Sequence, residues 1–165
     1  MTRTIKALNI IYCMVVLLFL LDDLTNFDVK SQAVKTFVHY GVLIGTPLIL
    51  LFNIFAIKGI KKKIAGSVLP VMILITVLIV GPGKVIFSAV SWRTQSVLYQ
   101  NGHLSFKKIE FQMQDIGGMG YNKRKVEVLY LTPFFMITNK VPDNIDDKIE
   151  WIKIDKDINE LGLKY

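Results

Sequence analysis

Residues 37–57 read FVHYGVLIGTPLILLFNIFAI: twenty-one residues without a formal charge. About twenty apolar residues in helical geometry match a hydrocarbon core of about 30 Å, so this stretch predicts a membrane-spanning helix. Thr46-Pro47 falls at its middle. Pro47 removes one backbone donor and tends to kink a helix, and neighbouring helices compensate for this within a membrane. Gly41 and Gly45 form a GxxxG pair, a pattern that lets another helix come close, within this chain or between chains.

Two weaker segments flank this one. Residues 7–21, ALNIIYCMVVLLFLL, rise about 22 Å as a helix, and Lys6 can extend its reach by snorkelling. The competing reading is a cleaved signal peptide with Arg3 and Lys6 as its basic start. No small-x-small cleavage site follows, because the run leaves through Asp22-Asp23-Leu24. A lipoprotein reading fails because Cys13 follows the bulky Tyr12. Residues 64–80, IAGSVLPVMILITVLIV, are at the lower limit for a crossing, with Pro70 in the early part. Gly81-Pro82-Gly83 then breaks the pattern. Residues 85–92, VIFSAVSW, are too few to cross again and read as an interfacial segment ending on an aromatic belt residue, Trp92.

The charge is as segregated as the hydropathy. Residues 1–91 hold nine Lys/Arg against three Asp, a balance of +6, whereas residues 92–165 hold eleven against ten, a balance of +1. The basic character therefore belongs to the membrane half, where it reports orientation. A nucleic-acid partner is not expected, since that reading needs a basic stripe on the folded domain. Lys58, Lys61, Lys62 and Lys63 make the strongest signal. By the positive-inside rule they put the second loop and the N-terminus in the cytoplasm, with anionic lipid as a compatible contact. Three crossings then place residues 92–165 outside, in a bacterial-type inner (plasma) membrane protein.

Residues 92–165 predict a small extramembrane α+β domain of four or five strands. Asn101-Gly102 between apolar runs signals a hairpin. Residues 108–114, KIEFQMQ, alternate, with Ile109, Phe111 and Met113 on one face and Glu110, Gln112 and Gln114 on the other, as in a half-buried strand. A second loop is expected at 115–125. Strands follow on either side of Thr132-Pro133, where proline implies an edge, a bulge or a turn. Ile145, Ile149 and Ile152 have helical spacing, although 148–154 also reads as a strand. Asp157, Glu160 and Gly162 predict a short C-terminal helix. The run 129–137, LYLTPFFMI, is apolar enough to dock on segment 85–92, the bilayer or a partner as well as to form the core.

Catalytic signals are weak. His39 and His103 have no acidic spacing around them, so no metal or cofactor site is expected. Gly117-Gly118-Met119-Gly120 lacks the phosphate-loop patterns. No GxSxG motif occurs, and the lone Cys13 allows no disulfide within one chain. Asn9 and Asn53 are the polar residues of the spanning segments and suit helix-to-helix hydrogen bonds. By elimination the partner contact falls on the glycine-rich loop, at Met119, Tyr121, Lys123, Arg124 and Lys125. The function this favours is a non-enzymatic accessory, scaffold or partner-binding subunit of an envelope complex, with a protein partner or a second copy beside the lipid bilayer. The alternatives are an immunity protein against a periplasm-acting toxin and a component of a membrane enzyme or transporter.

Overall fold

The computed structural model describes residues 3–141 and 150–163. The chain divides into two units, residues 1–23 with 33–89, and residues 24–32 with 90–165.

The first unit is helical. Three helices are long and apolar enough to cross a membrane: α1 (Arg3–Leu24), α2 (Gln32–Ala56) and α3 (Ile60–Val80). Each overruns its uncharged stretch, so that Asp22 and Lys35, expected in a loop, and Lys61 to Lys63 are helical. Gly59 and Gly81, at the two ends of α3, both have positive φ, the conformation in which glycine carries no penalty. Pro82 then opens a short helix α4 (Pro82–Ser88) at a position where its missing N–H is harmless. The core of this unit gathers Tyr12, Val15, Val16 and Phe19 of α1 with Val38 and Val42 of α2 and Ile73 and Val77 of α3. Large apolar side chains elsewhere on the helices, such as Leu17, Leu48 and Ile79, stay exposed. Such continuous apolar exposure suits a lipid solvent.

The second unit is one antiparallel sheet of six strands. They are β1 (Phe27–Val29), β2 (Arg93–Asn101), β3 (Lys107–Asp115), β4 (Tyr121–Tyr130), β5 (Phe135–Lys140) and β6 (Trp151–Asp157). Their order is β1-β5-β4-β3-β2-β6. The middle four make an up-and-down run of hairpins. β1 comes from the connection between α1 and α2 and pairs with β5 in the register Phe27↔Ile137, Asp28↔Met136, Val29↔Phe135. Thus the sheet includes residues that precede two of the long helices.

Each turn has a local cause. The Asn101 side chain accepts the backbone N–H groups of His103 and Leu104, which closes the β2–β3 connection. Thr132 Oγ1 accepts those of Phe134 and Phe135, and Pro133 sits within this β4–β5 turn, separating the two strands. No helix forms at 157–162, against the expected capping box. Asp157 ends β6 and pairs with Ser96. The following backbone turns back on β2, where the Gln95 carbonyl accepts from Ile158 and Asn159. Among the described residues the short α-helix is α4. Ile145 and Ile149 lie outside the described residues, and Ile152 belongs to strand β6.

Candidate functional site

Polar groups recur along the α1–α2 interface. Asn9 and Asn53 exchange reciprocal amide bonds of 3.0 Å, and Asn53 also donates to the Gly66 carbonyl of α3 at 2.7 Å. One amide pair therefore joins all three long helices. Tyr12 and Thr46 bond through their hydroxyls at 2.9 Å, and Thr46 also donates to the Val42 carbonyl one turn back. At the end of the bundle where α1 finishes and α2 begins, the Asp22 carboxylate meets His39 Nε2 at 2.9 Å and Lys35 Nζ at 3.3 Å. All three side chains are buried, and His39 stands edge-on to Phe19. Its Nδ1 has no hydrogen-bond partner. The separate charges of Asp22, Lys35 and His39 hid this cluster in the sequence. What places them together is the length of the helices, which draws two presumed loop charges into the bundle.

The sheet carries a larger polar network. In an antiparallel sheet directly opposed residues share a face, and the register puts Thr94, Gln112 and Arg124 side by side, with Glu110, Tyr130 and Asp28 on the same face. Glu110, at 1% exposure, accepts from Thr94 Oγ1 at 2.8 Å, Gln112 Nε2 at 2.9 Å and the Tyr130 hydroxyl at 2.9 Å. Gln112 turns its carbonyl to Arg124, whose Nη2 also donates to Asp28 at 2.6 Å. The Arg124 guanidinium lies 4.1 Å from the ring centroid of Trp92. On the other flank Lys30 donates to Thr94 and pairs with Glu160 at 2.7 Å. Burial, and then the nearby Glu110 charge, push the Tyr130 phenol above its ordinary range, so it stays a donor.

The alternation of β3 thus holds, but its polar side is covered: Glu110, Gln112 and Gln114 are all buried. The opposite face packs Ile109 with Trp151 and Tyr99. Lys107 lies over the Trp151 ring and pairs with Glu127.

The residues singled out from sequence separate. The loop expected at 115–125 shrinks to a tight β3–β4 turn. Its short 3-10 helix, Gly117–Met119, is tied by Gly117 N–H to the Asp115 carboxylate at 2.7 Å, and Ile116 donates to the Gly120 carbonyl. Met119 projects at 65% exposure and Tyr121 is exposed beside it. Lys123, Arg124 and Lys125 belong to strand β4, opposite Met113, Gln112 and Phe111. Alternation divides them: Arg124 enters the buried network, while Lys125 approaches the Tyr99 ring on the other face. Trp92, read as an interfacial belt residue, is the platform for Arg124. Lys58, Lys61 and Lys62 are exposed at the α2–α3 connection. The two glycines of the GxxxG pair differ. A Cβ on Gly41 would lie 3.1 Å from Val15 of α1, whereas one on Gly45 would meet nothing within 4 Å. Pro47 lies inside α2.

Among the described residues no three His, Cys, Asp or Glu side chains converge in a way that could hold a metal ion. No protein-family model, curated protein or solved structure matches the chain.

Proposed function

We propose that this protein crosses a bacterial-type inner membrane three times and serves as an accessory, partner-binding subunit of an envelope complex. In this reading the N-terminus and the lysine loop at 58–63 are cytoplasmic and the sheet is extracytoplasmic. The β1–β5 pairing supports the count of crossings. Strands of one sheet lie on one side of a bilayer, so an even number of crossings must separate Val29 from Phe135, and α2 and α3 supply two.

The observation that carries the partner-binding role is the β3–β4 turn. Its backbone is fixed by glycines of positive φ at 117 and 120 and by the Asp115 bond, while Met119 and Tyr121 stay exposed. An apolar tip on an ordered turn loses little entropy on binding. Edge strand β6 is guarded by Lys153, Asp155, Lys156 and Asp157, and charge of this kind deters strand addition. Purification from native membranes in mild detergent tests the role. The parent chain retains a stoichiometric protein or a second copy, and Met119→Asp loses it. A monodisperse single chain from the parent overturns the proposal.

The buried Asp22–Lys35–His39 cluster favours a second reading, a component of a transporter or membrane enzyme, because ionisable groups inside spanning helices often mark ion paths. Its position at the end of α1 and start of α2 also gives it a plain structural role in fixing their register.

A further inference from the structure

One end of the helical unit is cationic throughout. Residues 1–21 and 29–109 hold no Asp or Glu, so the acids of this unit are Asp22 and Asp23. Asp22 lies sixteen residues along α1 from Lys6, a rise of about 24 Å, well beyond a screening length of about 8 Å. At the far end from Asp22, the Asn9–Asn53–Gly66 bonds set a level shared by all three long helices. Lys6 precedes Asn9 on α1, and Lys62 and Lys63 precede Gly66 on α3, each by about 4.5–6 Å along its helix. Lys58, Lys61 and Arg3 lie one step further out. Arg3, Lys6, Lys58, Lys61 and Lys62 are exposed, and Lys63 is half-buried. Among the described residues none of these six has an ion-pair partner. The bundle thus gathers a positive field with no internal counter-charge.

A groove of about 420 Å³ begins at the same end. It runs along α1, lined by Lys6, Asn9, Ile10, Cys13, Met14 and Leu17, and below Lys6 and Asn9 its walls are apolar. From Lys6 to Leu17 the helix rises about 16 Å, which matches half of a hydrocarbon core of about 30 Å. A cationic head above an apolar channel one leaflet deep fits one kind of molecule, a lipid with a negative headgroup. A neutral lipid fills the channel and leaves the lysines unanswered. A second copy packed in parallel sets its own lysines against these.

We propose that Lys6, Lys58, Lys61 and Lys62 hold the phosphate of an anionic phospholipid whose acyl chain lies along α1 from Ile10 to Leu17. This rests on the three-crossing proposal and on the helical unit alone.

Native mass spectrometry of the full chain in nonionic detergent tests it. The chain is titrated with phosphatidylglycerol and, separately, with phosphatidylcholine of the same acyl chains. One phosphatidylglycerol per chain should be retained, with a preference of about tenfold or more, since each basic residue at an anionic surface contributes about fivefold. Joint Lys6→Gln, Lys61→Gln and Lys62→Gln should remove the preference, and the same three changed to Arg should keep it. Cys13→Phe, which fills the groove, should weaken retention of both lipids. Lys123→Gln with Lys125→Gln, on the sheet, is the control and should change nothing. Equal retention of the two lipids, or a loss as large in the control, overturns the site. Displacement of phosphatidylglycerol by inorganic phosphate shows a site for the free ion and overturns the lipid. A lipid-free dimer that Cys13→Phe breaks puts a second copy on the groove and also overturns it. The spanning reading has its own readout. In a Cys13→Ala background, a dye-labelled cysteine replacing Leu48 on α2 should be quenched by nitroxide-bearing lipids in vesicles. Quenching there without a lipid preference overturns the site alone, and absence of quenching overturns both.

Discussion

Removing the Asp28 carboxylate tests whether the connection between α1 and α2 truly belongs to the sheet. Asp28 lies on edge strand β1, and its Oδ2 is 2.6 Å from Arg124 Nη2 on β4. The side chains are 8% and 22% exposed. Breaking a buried ion pair from one side costs about 3–5 kcal/mol, because the remaining charge is stranded. Arg124 is partly solvated and keeps Gln112 and the Trp92 ring, which reduces the expected cost of Asp28→Ala to about 2–3 kcal/mol. For a unit of this size each kcal/mol moves the midpoint by about 4–8 °C, so the melt should fall by roughly 10–20 °C. Both tryptophans belong to the sheet unit, Trp92 beneath the guanidinium and Trp151 on β6. Their fluorescence during heating in mild detergent therefore reports this unit. Asp28→Asn, which keeps an acceptor but no charge, should fall between parent and Ala. A double-mutant cycle with Arg124→Met should show coupling above about 1 kcal/mol. A melt within about 2 °C of the parent, or effects that simply add, refutes the pairing and with it the place of β1 in the sheet.

Gly41→Leu should weaken the helical unit by about 1–3 kcal/mol, because its Cβ already meets Val15; Gly45→Leu, facing open space, should change stability by less than about 0.5 kcal/mol. Unfolding by titration with a denaturing detergent, followed by circular dichroism, separates the two. Tyr130→Phe should cost about 1.5–3 kcal/mol near neutral pH, since the phenol donates to the Glu110 carboxylate. The pH dependence has a definite sign: the unfolded chain releases the phenol proton near pH 10 while the fold holds it, so parent stability falls as pH rises above about 10. Tyr130→Phe should flatten that fall, as read from melts at a series of alkaline pH values.

Much of the helical half was open to sequence reading because an uncharged run longer than twenty residues has few other solutions. The ends of the helices were not. Charged residues flanking a span look like loop, yet Asp22 and Lys35 continue the helical backbone and bury against each other. Strand β1 was beyond reach for a different reason. Three residues, Phe-Asp-Val, carry no period, and the partner strand is more than a hundred residues away. The faces of β3 followed directly from alternation, but which face is covered depends on Thr94, Arg124 and Tyr130, supplied by other strands. Arg124 likewise looked like the middle of a cationic loop because the β3–β4 turn closes sooner than its glycines suggest. The helix expected at 157–162 had cap residues, but the chain spends the backbone N–H groups of Ile158, Asn159 and Glu160 on hydrogen bonds to β2.

The pairing of β1 also imposes an order on how the molecule is made. Asn26 bonds to Asn139, 113 residues downstream. A ribosome adding about 5–20 residues per second needs roughly 6–23 s to cover that distance. During that interval β1 has been synthesised and its partner has not. If α2 and α3 span the membrane as proposed, they are threaded into it in the meantime. In that case the sheet can close only after the third helix is threaded and β5 has emerged, so its closure follows the insertion of α2 and α3. A chain truncated before Phe135 leaves the backbone groups of β1 without their β5 partners.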